Sequence, residues 1–259
     1  ISPAKEAARN MEKLIHDQIE ESNGSSELRN ALFESVLFGT GIVKGPFSYD
    51  KVSHRWERDE ETGLNNCNPK SKLVPRIEAV SCWDFYPDPD AVTIDDADYV
   101  IERHNYTKTQ VRDLMNRPFF RESAVRECLS MGPNYEARGY ESSLLDRETT
   151  DEFDKNRYEI LEFWGYLDKE LAEQAGIEID EDVDELDEIS VNCWVCNGKI
   201  LRLVVNPFTP ARLPYMVCPY EINPYQFFGV GIPENMDDAQ TIMNGHARMA
   251  IDNLALAGN

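Results

Sequence analysis

The sequence predicts an α+β protein, with helices and antiparallel β-hairpins mixed along the chain and a long helix at its C-terminus. Three observations carry this. Asn197-Gly198 lies between two apolar segments of strand length and supplies the positive φ of a type I′ hairpin turn. Two helical periodicities open the chain, and a third runs without a strong breaker from Pro233 to at least Ala257. Between them, strand and hairpin patterns alternate with short helices, and no internal repeat is visible.

The first helix is expected over residues 3–22. Ser2 can cap it, Pro3 suits its first turn, and Ala8, Met11, Ile15 and Ile19 share one face. Asn23-Gly24 ends it. A second helix runs from about Ser26 to Phe38 and is expected to bury Leu28, Leu32 and Val36 before Gly39-Thr40-Gly41 stops it. Ile42 to Tyr49 reads as a strand bent at Gly45-Pro46. The polar stretch Arg58 to Pro69 reads as a hairpin tip, and Leu73 to Cys82 as the returning strand, where Pro75 favours an edge.

Trp83 to Asp90 reads as a rigid aromatic and proline-rich loop, and Tyr99 to Tyr106 as a strand. Thr107 opens a helix carrying Val111, Leu114 and Met115, which Pro118 breaks before a further helix ending near Met131. Residues 133–156 read as a mobile polar loop. Tyr158 to Leu167 is a strand, followed by a short helix from Lys169 to Ala175 and an acidic, solvated run from Glu178 to Glu188. Ile189 to Cys196 and Lys199 to Val205 form the Asn-Gly hairpin. A loop punctuated by Pro207, Pro210, Pro214, Pro219 and Pro224 then leads to Phe228.

Composition narrows the function. With 259 residues the chain is long enough for one large domain or two small ones. No apolar run reaches the length of a bilayer span, and no signal-peptide core follows Ile1. The first residue is not Met, so residues are expected to precede it. A net charge of −22 argues against a protein that grips DNA by neutralising phosphates over much of its surface. It fits plain solubility, and it also fits a surface that lies near nucleic acid without adhering to it. Cys67, Cys82, Cys128, Cys193, Cys196 and Cys218 are scattered, which points to reduced thiols rather than a disulfide framework.

The motifs that suggest chemistry do not assemble into a reaction. Cys193-Trp194-Val195-Cys196 falls on a hairpin strand, where residues three apart face opposite sides, and no second pair stands at zinc spacing. Asp88, Asp90, Asp95, Asp96 and Asp98 fail the EF-hand pattern, since Thr93 stands where glycine is needed and Tyr99 where the bidentate Glu belongs. An irregular calcium site or a metal-dependent hydrolase centre there stays open. Gly229-Val230-Gly231 begins like a dinucleotide fingerprint, but Glu234 replaces its third glycine; Gly229 and Gly231 read instead as a flexible joint into the last helix. His16, His54, His104 and His246 have no ligand partner at short spacing. No catalytic residue, cofactor site or metal site is therefore assigned.

Four segments, taken in order, carry a family resemblance: Leu37 to Pro46, Val80 to Pro89, Phe228 to Glu234, and Gln240 to Asn244 with Ile251 to Leu254. In this order and spacing the chain resembles the portal (head-to-tail connector) proteins of tailed bacteriophages, especially short-tailed ones and related prophages. The resemblance runs from the first helix to Asn259. It implies a non-catalytic subunit of a ring, typically of twelve copies, whose channel passes double-stranded DNA during packaging and ejection. The implied partners are further copies of the chain, terminase, capsid and tail or adaptor proteins. The implied location is the virion, and the host cytoplasm during assembly, with no membrane.

On that resemblance, residues 1–230 correspond to an α+β wing and residues 231–259 to the first stem helix. The clip, the returning stem helix and the crown are expected after Asn259. Met236, Ala239, Met243, Ala247, Ala250 and Leu254 form one stripe of the helix; Asp237, Thr241, Asn244, Arg248 and Asp252 form another. Asp237, Asn244, Arg248 and Asp252 are the residues expected to face the channel, with ordinary solvent exposure as the alternative. A protein-binding adaptor or scaffold with no DNA conduit role is the competing function.

Overall fold

The computed structural model describes residues 3–58, 65–135, 156–176, 188–208 and 210–258. Helix α1 (Pro3–Glu21) and helix α2 (Gly24–Phe38) are separated at Asn23, which takes a left-handed conformation at φ 55°. The expected cap Ser2 lies outside the described residues. Gly39, at φ 88°, closes α2 and turns the chain into strand β1 (Thr40–Arg58).

The buried face of α2 differs from the expected one. Leu28, Leu32 and Val36 are exposed, and the helix instead buries Gly24, Ala31 and Ser35. Close approach is the reason. A Cβ on Gly41 would lie 2.2 Å from the Ala31 carbonyl oxygen, so α2 sits on β1 through small residues that larger side chains would push apart. Ser35 Oγ donates to the Cys218 carbonyl at 3.0 Å. The Glu27 and Glu34 carboxylates accept from the backbone N–H groups of Ala79 and Cys82.

Strand β1 pairs with β2 (Asn65–Val80) in a long antiparallel ribbon from Ile42↔Val80 to Arg58↔Asn65, irregular between Lys44 and Phe47, at the expected Gly45-Pro46 bend. Strand β2 begins at Asn65, inside the stretch expected to be the hairpin tip, and residues 59–64 of that stretch lie outside the described residues. Pro75 does lie on an edge, since the strand order is β2-β1-β8. The third strand, β8 (Tyr215–Pro219), falls within the segment expected to be loop. It is five residues long and proline-bounded, and its partner is β1, from Thr40↔Pro219 to Lys44↔Tyr215. Helix α6 (Ile232–Ala257) completes this unit, which comprises Ile1–Cys82 and Pro214–Asn259.

Trp83–Leu213 forms a second compact unit. Its five antiparallel strands run in the order β3-β4-β5-β6-β7. They are β3 (Phe85–Pro87), β4 (Tyr99–Thr107), β5 (Arg157–Asp168), β6 (Glu188–Cys196) and β7 (Lys199–Val205). The expected aromatic loop thus contains a short strand, with Phe85 buried in it. Thr107 caps helix α3 (Lys108–Asp113) in a reciprocal capping box with Gln110. Helix α4 (Glu122–Met131) follows after Pro118, and α5 (Lys169–Gln174) follows β5. Asn197 and Gly198 both take positive φ, as the type I′ turn requires.

One face of this sheet packs Tyr158, Ile160, Trp194, Cys196 and Leu201 against Val111, Leu114, Val125 and Cys128 of the α3–α4 segment. The other face buries Ile189, Val191 and Leu203 beside Phe163, Leu167 and Ala175. Most of the expected polar loop and most of the acidic run, residues 136–155 and 177–187, lie outside the described residues.

Candidate functional site

Helix α6 begins from a tightly packed root. A Cβ on Gly229 would lie 2.6 Å from the carbonyl oxygens of Glu221 and Gly39, and one on Gly231 would lie 2.7 Å from that of Leu37. Neither glycine has a positive φ, so close backbone approach is what demands glycine here. Gly229 N donates to Thr40 Oγ1 at 2.9 Å, Val230 N to the Glu221 carbonyl at 3.0 Å, and Tyr220 N to the Gly39 carbonyl at 2.8 Å. These bonds tie the start of α6 to the α2–β1 corner. Asn235 then donates through its side chain to Glu221 at 2.6 Å.

From that root α6 runs for 26 residues without burying one. At 1.5 Å per residue it is about 39 Å long. Asp237, Asn244, Arg248 and Asp252 are all exposed and recur at helical spacing on one side. Gln240 donates to Asn244 Oδ1 at 3.2 Å, which steadies one member of that side. Met236, Met243 and Leu254 are exposed as well. So are Ile242, Met249 and Leu256, a second apolar row with a seven-residue repeat that sequence reading passed over. The helix therefore presents a polar side and two apolar rows, all outward.

The Trp83–Leu213 unit contains a buried polar cluster. Glu102 and Glu162 stand directly opposite each other in the β4–β5 register, and both are at least nine-tenths buried. His104 lies between them, with Nε2 2.7 Å from Glu162 Oε2 and Nδ1 3.6 Å from Glu102 Oε1. Its ring stacks on Trp194 at 5.0 Å. Trp164 Nε1 and Asn192 Nδ2 both donate to Glu162 Oε1, at 2.7 and 3.0 Å. The expectation that His104 has no ligand-type partner at short spacing is thus corrected. Glu102 is two residues away on the same strand face, and register brings Glu162 across. The first neighbour was visible in the sequence as Glu-x-His on a strand; the second required the pairing.

The other candidate motifs are the Cys193–Cys196 pair and the Asp88 to Asp98 run. Cys193 and Cys196 face opposite sides of β6 and go to different cores. Burial pushes the Cys193 thiol up to about 11. Cys196 Sγ lies 3.0 Å from Cys128 Sγ, and that contact together with burial pushes its thiol far above the ordinary range. Asp88 caps its own loop by accepting from the backbone N–H groups of Asp90 and Asp98, and Asp96 accepts from Thr93 Oγ1. No described helix is long and apolar enough to cross a membrane.

Comparison with known families finds a match over most of the chain. The family described as Phage SU10 portal protein matches residues 62–259, most of the chain, including the sheet of the second unit and all of α6. No curated protein matches.

Proposed function

The chain belongs to the Phage SU10 portal protein family, a structural family, and from that premise we propose that it is a wall-forming subunit of a portal ring that conducts DNA. In this reading residues 1–230 are wing and residues 231–259 are the first stem helix. The observation that carries the reading is α6, with its 26 residues, none of them buried, and its outward apolar rows. A helix with this much uncovered apolar surface gains stability only when partners cover it. In a ring, neighbouring copies on either side cover the two rows and leave the polar side to the lumen.

Asp237, Asn244, Arg248 and Asp252 are the residues assigned to that lumen. A chain of net charge −22 suits this role, because a conduit must let a polyanion slide and therefore offers few phosphate clamps. Gly229 and Gly231 form the joint at which the helix leaves the wing. Terminase, capsid and tail proteins are the partners this role requires, in the virion and in the host cytoplasm during assembly. The ring is assigned twelve copies.

Electron microscopy of the assembled protein tests the proposal. The expected result is rings with a central hole, with DNA binding that is weak and falls further with salt. A protein that stays monomeric under all conditions, or that binds duplex DNA tightly at physiological salt, overturns it.

A further inference from the structure

We propose that Glu102, His104 and Glu162 form a binding site for a divalent transition-metal cation, of the Zn²⁺ or Mn²⁺ class, that staples strand β4 to β5. The argument begins with charge. Two carboxylates directly opposite in an antiparallel pair repel each other, and burying them raises the cost. A divalent cation held between the two carboxylates offsets that repulsion.

The geometry fits the same ligand. One donor atom from each of the three residues lies within 4.8 Å of the others. Metal bonds of about 2.1 Å place neighbouring ligands roughly 3.0 Å apart in an octahedral site and roughly 3.4 Å apart in a tetrahedral one. The His104–Glu162 contact of 2.7 Å thus opens by less than about 1 Å to admit the ion. The outer contacts are already in place. Trp164 and Asn192 hold Glu162 Oε1, which orients Oε2 toward the imidazole, and the Trp194 ring fixes the imidazole plane. Asn192 is 1% exposed and its amide is held at the cluster, yet its Oδ1 has no hydrogen-bond partner. That orphaned oxygen is a ready partner for a metal-bound water. The mixed nitrogen and oxygen donor set selects a transition cation over Mg²⁺ or Ca²⁺, which favour all-oxygen sites.

The test is calorimetric titration of chelator-treated protein with Zn²⁺ and with Mn²⁺, alongside thermal unfolding. The expected result is one equivalent bound and a melting midpoint several degrees higher with metal. H104Q removes the nitrogen ligand while keeping a polar side chain, and it is expected to abolish both effects. Co²⁺ gives a second readout, with visible d–d bands in the wild type that are absent in H104Q and independent of folding stability. H16Q serves as a control for the exposed His16–Glu20 pair on α1, and it is expected to bind like the wild type. Wild-type protein that binds no metal, or H104Q that binds it unchanged, overturns the proposal. The first result would leave His104 as a metal-free bridge between the two carboxylates.

Discussion

In the Trp83–Leu213 unit both faces of the five-stranded sheet carry a core, and Leu114, Val125, Ile160 and Leu201 are fully buried. On α6, Met243, Leu254 and Leu256 are each at least two-thirds exposed or close to it, at 66%, 73% and 78%. The two regions draw on the same kinds of side chain. What differs is whether the partner surface lies within the same chain. Apolar burial is worth roughly 1.5–3 kcal/mol for a large aliphatic side chain. The sheet unit has already gained that energy; α6 gains it only on contact with another surface. The sheet unit is thus read as a self-sufficient body and α6 as an element completed by assembly.

The contrast breaks most readily in the sheet unit. Leu201→Ala removes a fully buried side chain from the core beneath α3 and α4. The expected cost is about 2–5 kcal/mol, read as a lower urea midpoint at unchanged slope. A cost near zero would mean that this core is loosely packed and that the two regions do not differ as described.

An intermediate effect is expected at the α2–β1 seam, which is neither a large-residue core nor an open face. Gly41→Ala places a methyl group where the Ala31 carbonyl oxygen already lies, at 2.2 Å from the new carbon. The helix must shift outward, at an expected cost of about 1–3 kcal/mol. Hydrogen exchange locates the damage, with faster exchange expected in α2 and unchanged protection in β5 and β6. Unchanged exchange in α2 would show that the seam yields without strain.

This seam also shows where sequence reading fails. Helical periodicity identified α2 and its ends, but hydrophobicity pointed to Leu28, Leu32 and Val36 as the buried face. Size decided instead, because Ala31 and Ser35 allow the approach that leucines forbid. Strand β8 was hidden for a related reason. Its five residues have little signal of their own, and its pairing comes from β1, some 170 residues earlier in the chain. Features fixed by local backbone demands were legible, among them the Asn197-Gly198 turn and the Thr107 cap. The polar row of α6 could be read because 3.6-residue periodicity survives in any long helix. The Glu102–His104–Glu162 cluster could not, because it depends on cross-strand register.

The smallest expected effect on folding is also the most informative for function. Met243→Gln with Leu254→Gln replaces two exposed apolar residues of α6 with a good helix former. Exposed positions without partners tolerate such changes within about 0.5 kcal/mol each, so the unfolding midpoint of the monomer is expected to stay almost where it is. Assembly should respond differently, since the same residues then lie in the surface that copies share. Sedimentation is expected to show the double variant losing rings in favour of smaller species. Asn244→Ser on the polar side is expected to change neither quantity. If the double variant forms rings as the wild type does, the apolar rows are not the contact. If its monomer unfolds much more easily, they were covered within the chain after all, and the contrast between the sheet unit and α6 fails at its second term.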